Sequence, residues 1–457
     1  MSDPTGACLK IRLEIGNGES KVTFIPGGSP ERDPKDDSKD PNERTFHTNF
    51  ARHQLPELIR DVRSDLVRVR EGLDAVGAVK QTEASAGLAL KRLSYRGWRV
   101  LMALLGNDAG NIAEATAICR AACPGWQKPA WDKEAILPPL VTVVSRGEDG
   151  IPVEFLPLFD PAPVTDPPVN FYDMGQVACR FLGFSAVVQR LQPGQTSQPG
   201  SGRRLENQPV LPLATFFYRG LPTLSRHQEF FRENAGRIEL RPAWPAADCP
   251  IDRERVAREL ATRIWNPTQD PPPQINYFFC HCDTDPSSTE RHALRFNTGG
   301  NIVGLGGERR AELGLLQSAI VALQLKATDD KKERPLVFLN ACASGAIDPS
   351  GVGSFPQVFS DKRFLGFIGT ESAVPDAFAS AFAQDFFARI LDGIPLGHAL
   401  HRARWAMLAK PYFNPLGLLY TAYADPDLQV RHVASGETFR SATTDGSEPE
   451  GSRLVPV

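Results

Sequence analysis

From residue 209 onward the sequence alternates short apolar runs with amphipathic stretches, and this alternation limits the possible folds more than any other feature. VLPLATFFYRG at 210–220 reads as a strand, SRHQEFFRENAG as a helix, RIELRPAW as a strand, and IDRERVARELATRIW as a helix with Asp252 and Glu254 in its first turn. INYFFC comes next, followed by the glycine-rich hairpin ALRFNTGGNIVGL, the helix AELGLLQSAIVALQLKA and the run PLVFLNAC. FLGFIGT, the paired helices DAFASAFAQDFFARILDG and PLGHALHRARWAML, and the strand GLLYTAYAD complete the series. Strands separated by helices cannot pair as hairpins, so the pattern predicts an α/β fold with a mostly parallel sheet flanked by helices.

The first half is less regular and predicts a helical and β portion. Residues 8–25 alternate around a glycine turn (LKIRLEI, GNG, ESKVTFI), as a hairpin requires. PGGSPERDPKDDSKDPNERT at 27–46 is charged and broken by proline and glycine, which predicts a loop or linker without a core. From about 54 to 120 the apolar spacing turns helical, in LPELIRDVRSDLVRVREGL and again in LKRLSYRGWRVLMALL, which runs into a glycine-asparagine stop. QPGQTSQPGSGRRLENQP at 192–209 reads as a flexible separator, and the tail from about 434 as disordered. The expected organisation is a hairpin and linker over 1–46, a helical portion over 47–204, an α/β domain over 205–433 and a tail over 434–457.

With 51 basic against 54 acidic residues and a formal charge of −3, the chain has no overall field that would draw nucleic acid or an anionic membrane. No apolar run approaches the length of a membrane span, and the first residues lack the apolar core of a signal peptide, so a cytoplasmic location is expected. Eight cysteines, at 8, 119, 123, 179, 249, 280, 282 and 342, follow no disulfide spacing, which predicts free thiols.

Chemistry in an open parallel sheet gathers at the carboxyl ends of the strands, where loops are free to carry it. His281 closes the run QINYFFCHCDTD at such an end, and Cys342 closes PLVFLNAC at the next. If the two strands lie side by side or one apart, side chains 61 positions apart in sequence become neighbours. Cys280, His281 and Cys282 do not read as a metal site, because strand alternation sends His281 to one face and both cysteines to the other, and no second ligand pair completes a set of four. No metal or cofactor is expected. Cys280 reads as a small buried hydrophobe. The small residues around Cys342 (Asn340, Ala341, Ala343, Ser344, Gly345) suit a nucleophile that a substrate backbone must approach closely, and a histidine upstream of A-C-x-x-G has the order of caspase-like peptidases. GNIVGLGG at 300–307 lacks the lysine and threonine of a nucleotide loop, and His398 and His401 on a late helix read as surface groups.

The ordered set YFFCHCD, LVFLNACASG, GFIGTESAVPDAFASAFAQDFFARILDG, ALHRARWAML and NPLGLLYTAYADP resembles the CHAT family, caspase-like cysteine peptidases of clan CD related to separase. IPVEFLPLF and FLGFSAVVQR resemble the family's N-terminal, pseudo-caspase-like portion, so the likeness covers roughly 85–433. The resemblance implies a cysteine endopeptidase with His281 and Cys342 as its catalytic dyad, and for bacterial members it implies roles in defence or cell death. The sequence departs from the family at Cys282, where glycine usually follows the histidine. Backbone N–H groups of Cys342 and Cys282 would hold the oxyanion. Asp376, Glu371, Asp348 and Asp283 fall in loops expected to ring the cleft, where an acidic pocket favours a basic residue before the cut; Asp376, after Pro375 at a helix start, has the alternative of serving the helix dipole. Expected partners are a protein substrate and an activating protein. The alternative is a silent caspase-like scaffold that binds proteins, against which stands the retention of both His281 and Cys342.

Overall fold

The computed structural model describes residues 7–15, 19–27, 43–50, 52–54, 57–61, 63–64, 79–127, 138–145, 150–191, 204–207, 210–246, 249, 252–265, 273–283, 292–297, 308–326, 335–347, 354–359 and 364–432. The 300–307 glycine run, Asp348 and the tail lie outside the described residues.

The expected hairpin forms, with β1 (Leu9–Ile15) antiparallel to β2 (Ser20–Pro26) and Ile11 opposite Phe24. It is part of something larger. β3 (Arg44–Thr48) adds to β2, while β4 (Leu140–Ser145) runs parallel to β1 and β5 (Val187–Leu191) parallel to β4, giving a five-stranded sheet in the order β3-β2-β1-β4-β5. The end of the 27–46 segment is therefore an edge strand, because Phe46 and Thr48 bury their side chains although the residues before them are charged. Helix α1 (Glu83–Leu104) is capped by Thr82, whose hydroxyl accepts the Ser85 N–H, and it stops at Gly106 and Asn107, both at positive φ. It is followed by α2 (Ala109–Ala122), capped by Asp108.

The second half is the predicted α/β unit. Its six strands are β7 (Leu211–Phe217), β8 (Ile238–Leu240), β9 (Ile275–Phe279), β13 (Leu336–Asn340), β14 (Gly366–Thr370) and β15 (Tyr420–Ala424), in the order β15-β14-β13-β9-β7-β8. All pairings are parallel except β14 with β15. Side chains alternate between two cores. Ile275, Tyr277, Phe279, Leu336 and Phe338 face α3 (Leu224–Glu233), α6 (Asp376–Leu391) and α7 (Leu396–Leu408), whereas Phe278, Val337 and Leu339 face α4 (Arg253–Trp265) and α5 (Leu313–Lys326). Full burial of each such side chain contributes roughly 1.5–3 kcal/mol, which is why these strands read as unbroken apolar runs.

Two further small sheets occur. β6 (Arg204–Asn207), inside the segment read as a flexible separator, pairs in parallel with β16 (Gln429–His432). The two halves meet where β5, the edge of the first sheet, lies beside β15, the edge of the second, and the first core runs through both. No helix among the described residues is long and apolar enough to cross a membrane.

Candidate active site

β9 and β13 are neighbours, and their register sets Phe279 opposite Asn340. His281 and Cys342 each lie two residues beyond that pair, at the carboxyl ends of strands that pack about 4.8 Å apart. The chain bends at Cys280 and continues as β10 (His281–Asp283), which pairs with β11 (Ala293–Asn297), itself antiparallel to β12 (Glu308–Glu312). Alternation survives the bend. Cys280, Cys282 and Ala341 join the core on the α4 and α5 side, which leaves His281 and Cys342 to the other side.

Solvent access separates the cysteines. All are buried except Cys8, just before β1, and Cys342. Burial pushes the Cys280 and Cys282 thiols well above the usual range, so neither supplies thiolate near neutral pH. The Cys342 thiol reaches toward the Val374 carbonyl at 3.8 Å. His281 is half-buried with its ring edge-on to Tyr218 at 4.5 Å, and burial together with the Arg295 cation lowers its pKa. Such an imidazole is neutral near pH 7 and free to take a proton.

The turn after Cys342 is pinned from below. Ala343 has a positive φ of 52° and donates its N–H to the Ser372 carbonyl at 2.9 Å. The Gly345 N–H goes to the Thr370 carbonyl, the Ser344 hydroxyl to the Leu339 carbonyl at 2.7 Å, and the Thr370 hydroxyl to the Ala341 carbonyl at 2.6 Å. A Cβ on Gly345 would lie 2.7 Å from Thr421 and 3.0 Å from the Gly369 backbone. Its small size therefore serves the contact between the turn and β14, not the approach of a substrate.

Beneath the turn runs a chain of buried neutral groups. Asn340 donates to the Tyr277 hydroxyl at 3.1 Å and the Ala379 carbonyl at 2.9 Å, and accepts from the Tyr420 hydroxyl at 2.7 Å. Tyr277 meets His227 Nε2 at 2.8 Å, and His227 Nδ1 meets the Ser380 hydroxyl at 3.0 Å. His227 carries no signal in the sequence, where it looks like any histidine in a surface helix.

The acidic residues expected at the cleft part company. Asp376 stands in the first turn of α6, accepts from the Thr223 hydroxyl at 3.3 Å, and is close enough to act on the charge of His281. Asp283 is engaged by Arg295 at 3.3 Å and Arg310 at 3.2 Å. Glu371 is 1% exposed, with Arg190 at 2.9 Å on one oxygen and Arg63 at 3.3 Å on the other, so it belongs to a buried ion network. Glu154 and Arg404 complete that network. His401 is buried rather than at the surface, its Nε2 on the Phe184 carbonyl at 2.8 Å. Among the described residues no three His, Cys, Asp or Glu side chains converge as metal ligands do.

Comparison with known proteins adds a family. A probable protease of Vitiosangium sp. is 32% identical over 111 residues, 24% of this chain and 14% of that protein's length. In Saccharomyces cerevisiae separase, from the separase–securin complex, the likeness covers 92% of this chain and 30% of that one at 9% identity and a TM-score of 0.45. For the Arg-specific cysteine proteinase gingipain R the figures are 71%, 69%, 11% and 0.39. Residues 230–433, the segment that carries β9, β13, His281 and Cys342, match the CHAT domain family.

Proposed function

We propose that the protein is a cysteine endopeptidase in which Cys342 attacks a peptide carbonyl and His281 moves the proton. The observation that carries this is the register that sets Phe279 opposite Asn340, so that the one partly exposed cysteine of this half and a proton-accepting histidine end adjacent parallel strands. In the first step His281 takes the thiol proton, a C–S bond forms, and the oxyanion accepts the backbone N–H groups of Cys342 and Cys282. Ala343 is not such a donor, since its N–H is spent on Ser372. His281 then protonates the amine as the C–N bond breaks, and water hydrolyses the thioester. Cys282 keeps its backbone N–H whatever its side chain, so a residue other than glycine there is compatible with this role.

Of the acidic residues expected to read a basic side chain before the cut, Asp376 is the one we retain, because Asp283 and Glu371 already face arginines. A protein substrate, an activating partner, a cytoplasmic location and a bacterial defence role complete the reading. It is supported by the CHAT match and by the likeness to a probable protease. The test is to incubate the full chain with a peptide library and read new termini by mass spectrometry. Cleavage by wild type and none by folded Cys342→Ala or His281→Ala is expected. Equal cleavage by all three would remove the dyad from consideration, and none by any would favour the silent scaffold.

A further inference from the structure

One arginine of the first half reaches the turn that carries the nucleophile. Arg63 Nη2 donates toward the Ile347 carbonyl at 3.1 Å, the Gly150 carbonyl at 3.4 Å and Glu371 Oε2 at 3.3 Å. Its two hydrogens thus serve three oxygens on three segments. Gly150, also from the first half, has a positive φ of 56°, and a Cβ there would lie 2.3 Å from the Ile347 oxygen. The first half therefore touches the 341–347 turn by backbone and by cation at the same place.

Glu371 carries this contact to Cys342. It directly follows β14, and the next residue, Ser372, accepts the Ala343 N–H through its carbonyl. Ala343 follows the nucleophile directly and holds a positive φ, which for alanine costs about 1 kcal/mol and persists only where neighbours fix it. Both ends of the turn, Ala343 and Ile347, are thus held through Arg63 and Glu371. Arg190 bears on the other oxygen of Glu371, but it also binds Glu154. Burial raises the Glu371 pKa, and the two arginines oppose that.

We propose that Arg63 is a positioning residue: the clamp by which the first half of the chain holds the nucleophile turn in register with His281. The proposal rests on the dyad reading for its effect on catalysis, but its structural half stands apart from it. A catalytic half that lost this cation would keep its dyad residues and lose their alignment.

The experiment uses the full chain and two readouts. Hydrogen exchange at the amides of Ala343 and Gly345 reads the turn without any substrate, and kcat and KM on a library peptide that wild type cuts read its catalytic consequence. In Arg63→Ala, exchange at those amides is expected to rise about tenfold while the β7 amides stay as in wild type. The kcat should fall about tenfold to a hundredfold, with KM within about twofold. Because all three acceptors converge on one nitrogen, Arg63→Lys, with three donors on one ammonium, should restore most of both effects. Should Arg63→Ala not fold, Arg63→Gln takes its place under the same criteria. Wild-type exchange at Ala343 and Gly345 in the variant overturns the proposal, whatever happens to turnover. Faster exchange with unchanged kcat overturns the catalytic role. If wild type cuts no peptide, the dyad reading fails, and the exchange result alone decides whether Arg63 clamps the turn.

Discussion

Two buried polar clusters flank the strand that leads to Cys342, and they are built in opposite ways. The neutral one, His227, Tyr277, Asn340, Tyr420 and Ser380, lies wholly in the second half and hands hydrogen bonds from one uncharged group to the next. The charged one draws Arg63, Glu154 and Arg190 from the first half and Glu371 and Arg404 from the second. A buried ion costs several kcal/mol of hydration that pairing must offset, so the charged cluster is costly to break at its fully buried members. A neutral chain that loses one group strands a dipole at most. The difference teaches that the link between the halves is the brittle part of this molecule, whereas the support beneath the nucleophile is forgiving.

The hardest blow to that comparison is Glu371→Ala. It leaves Arg190 with Glu154 as its carboxylate partner and takes the carboxylate from Arg63, so unfolding by urea should show a loss of about 3–5 kcal/mol. A loss below about 1 kcal/mol would mean that the network relaxes or admits water, and the contrast between the clusters would go.

The sequence was informative where structure is periodic and poor where it is not. β9 and β13 were legible because strands covered on both faces need apolar residues at every position, and their ends led to His281 and Cys342. β4 and β5 escaped because polar residues, Thr142 in one and Gln189 and Arg190 in the other, interrupt their apolar runs although all three are buried. Glu371 was read as a rim charge because a lone acid in a loop is usually solvated; its partner Arg63 lies 308 positions away. Arg63 itself sits in the apolar-spaced stretch LPELIRDVRSDL and looks like any exposed helix cation. Gly345 was given a substrate role that its packing against Gly369 and Thr421 explains instead.

The second test uses acid. Burial holds the His227 pKa down at about 3, against 6.5 when unfolded. Between these values the unfolded chain binds a proton that the folded one refuses, so stability rises with pH. The contribution is fully present above 6.5 and is lost as pH falls toward 3, at about 1.4 kcal/mol per unit. His401, also lowered to about 3, behaves likewise but lies outside both clusters, so His227 alone brings this dependence into either of them. The neutral cluster should therefore be the acid-sensitive one. Urea unfolding at pH 6 and pH 5 should show a slope shallower by about 1.4 kcal/mol per unit in His227→Gln than in wild type. An unchanged slope would show that His227 is already charged in the fold.

The smallest effect is expected from Tyr420→Phe. The ring stacks on Phe382 with centroids 3.7 Å apart, and phenylalanine keeps that contact. Only the hydroxyl goes, and with it the donor to Asn340 Oδ1. Asn340 still gives both of its N–H groups, to Tyr277 and to Ala379, so the chain under Cys342 keeps its shape and strands a single carbonyl oxygen. The loss should be about 1 kcal/mol, the ordinary worth of one neutral hydrogen bond, with turnover changed by no more than about threefold. Measured beside Glu371→Ala under the same conditions, the ratio of the two losses is the sharpest form of the comparison. Equal losses would mean that the neutral chain is as unforgiving as the charged one, and that the nucleophile is held from below as firmly as it is clamped from the first half.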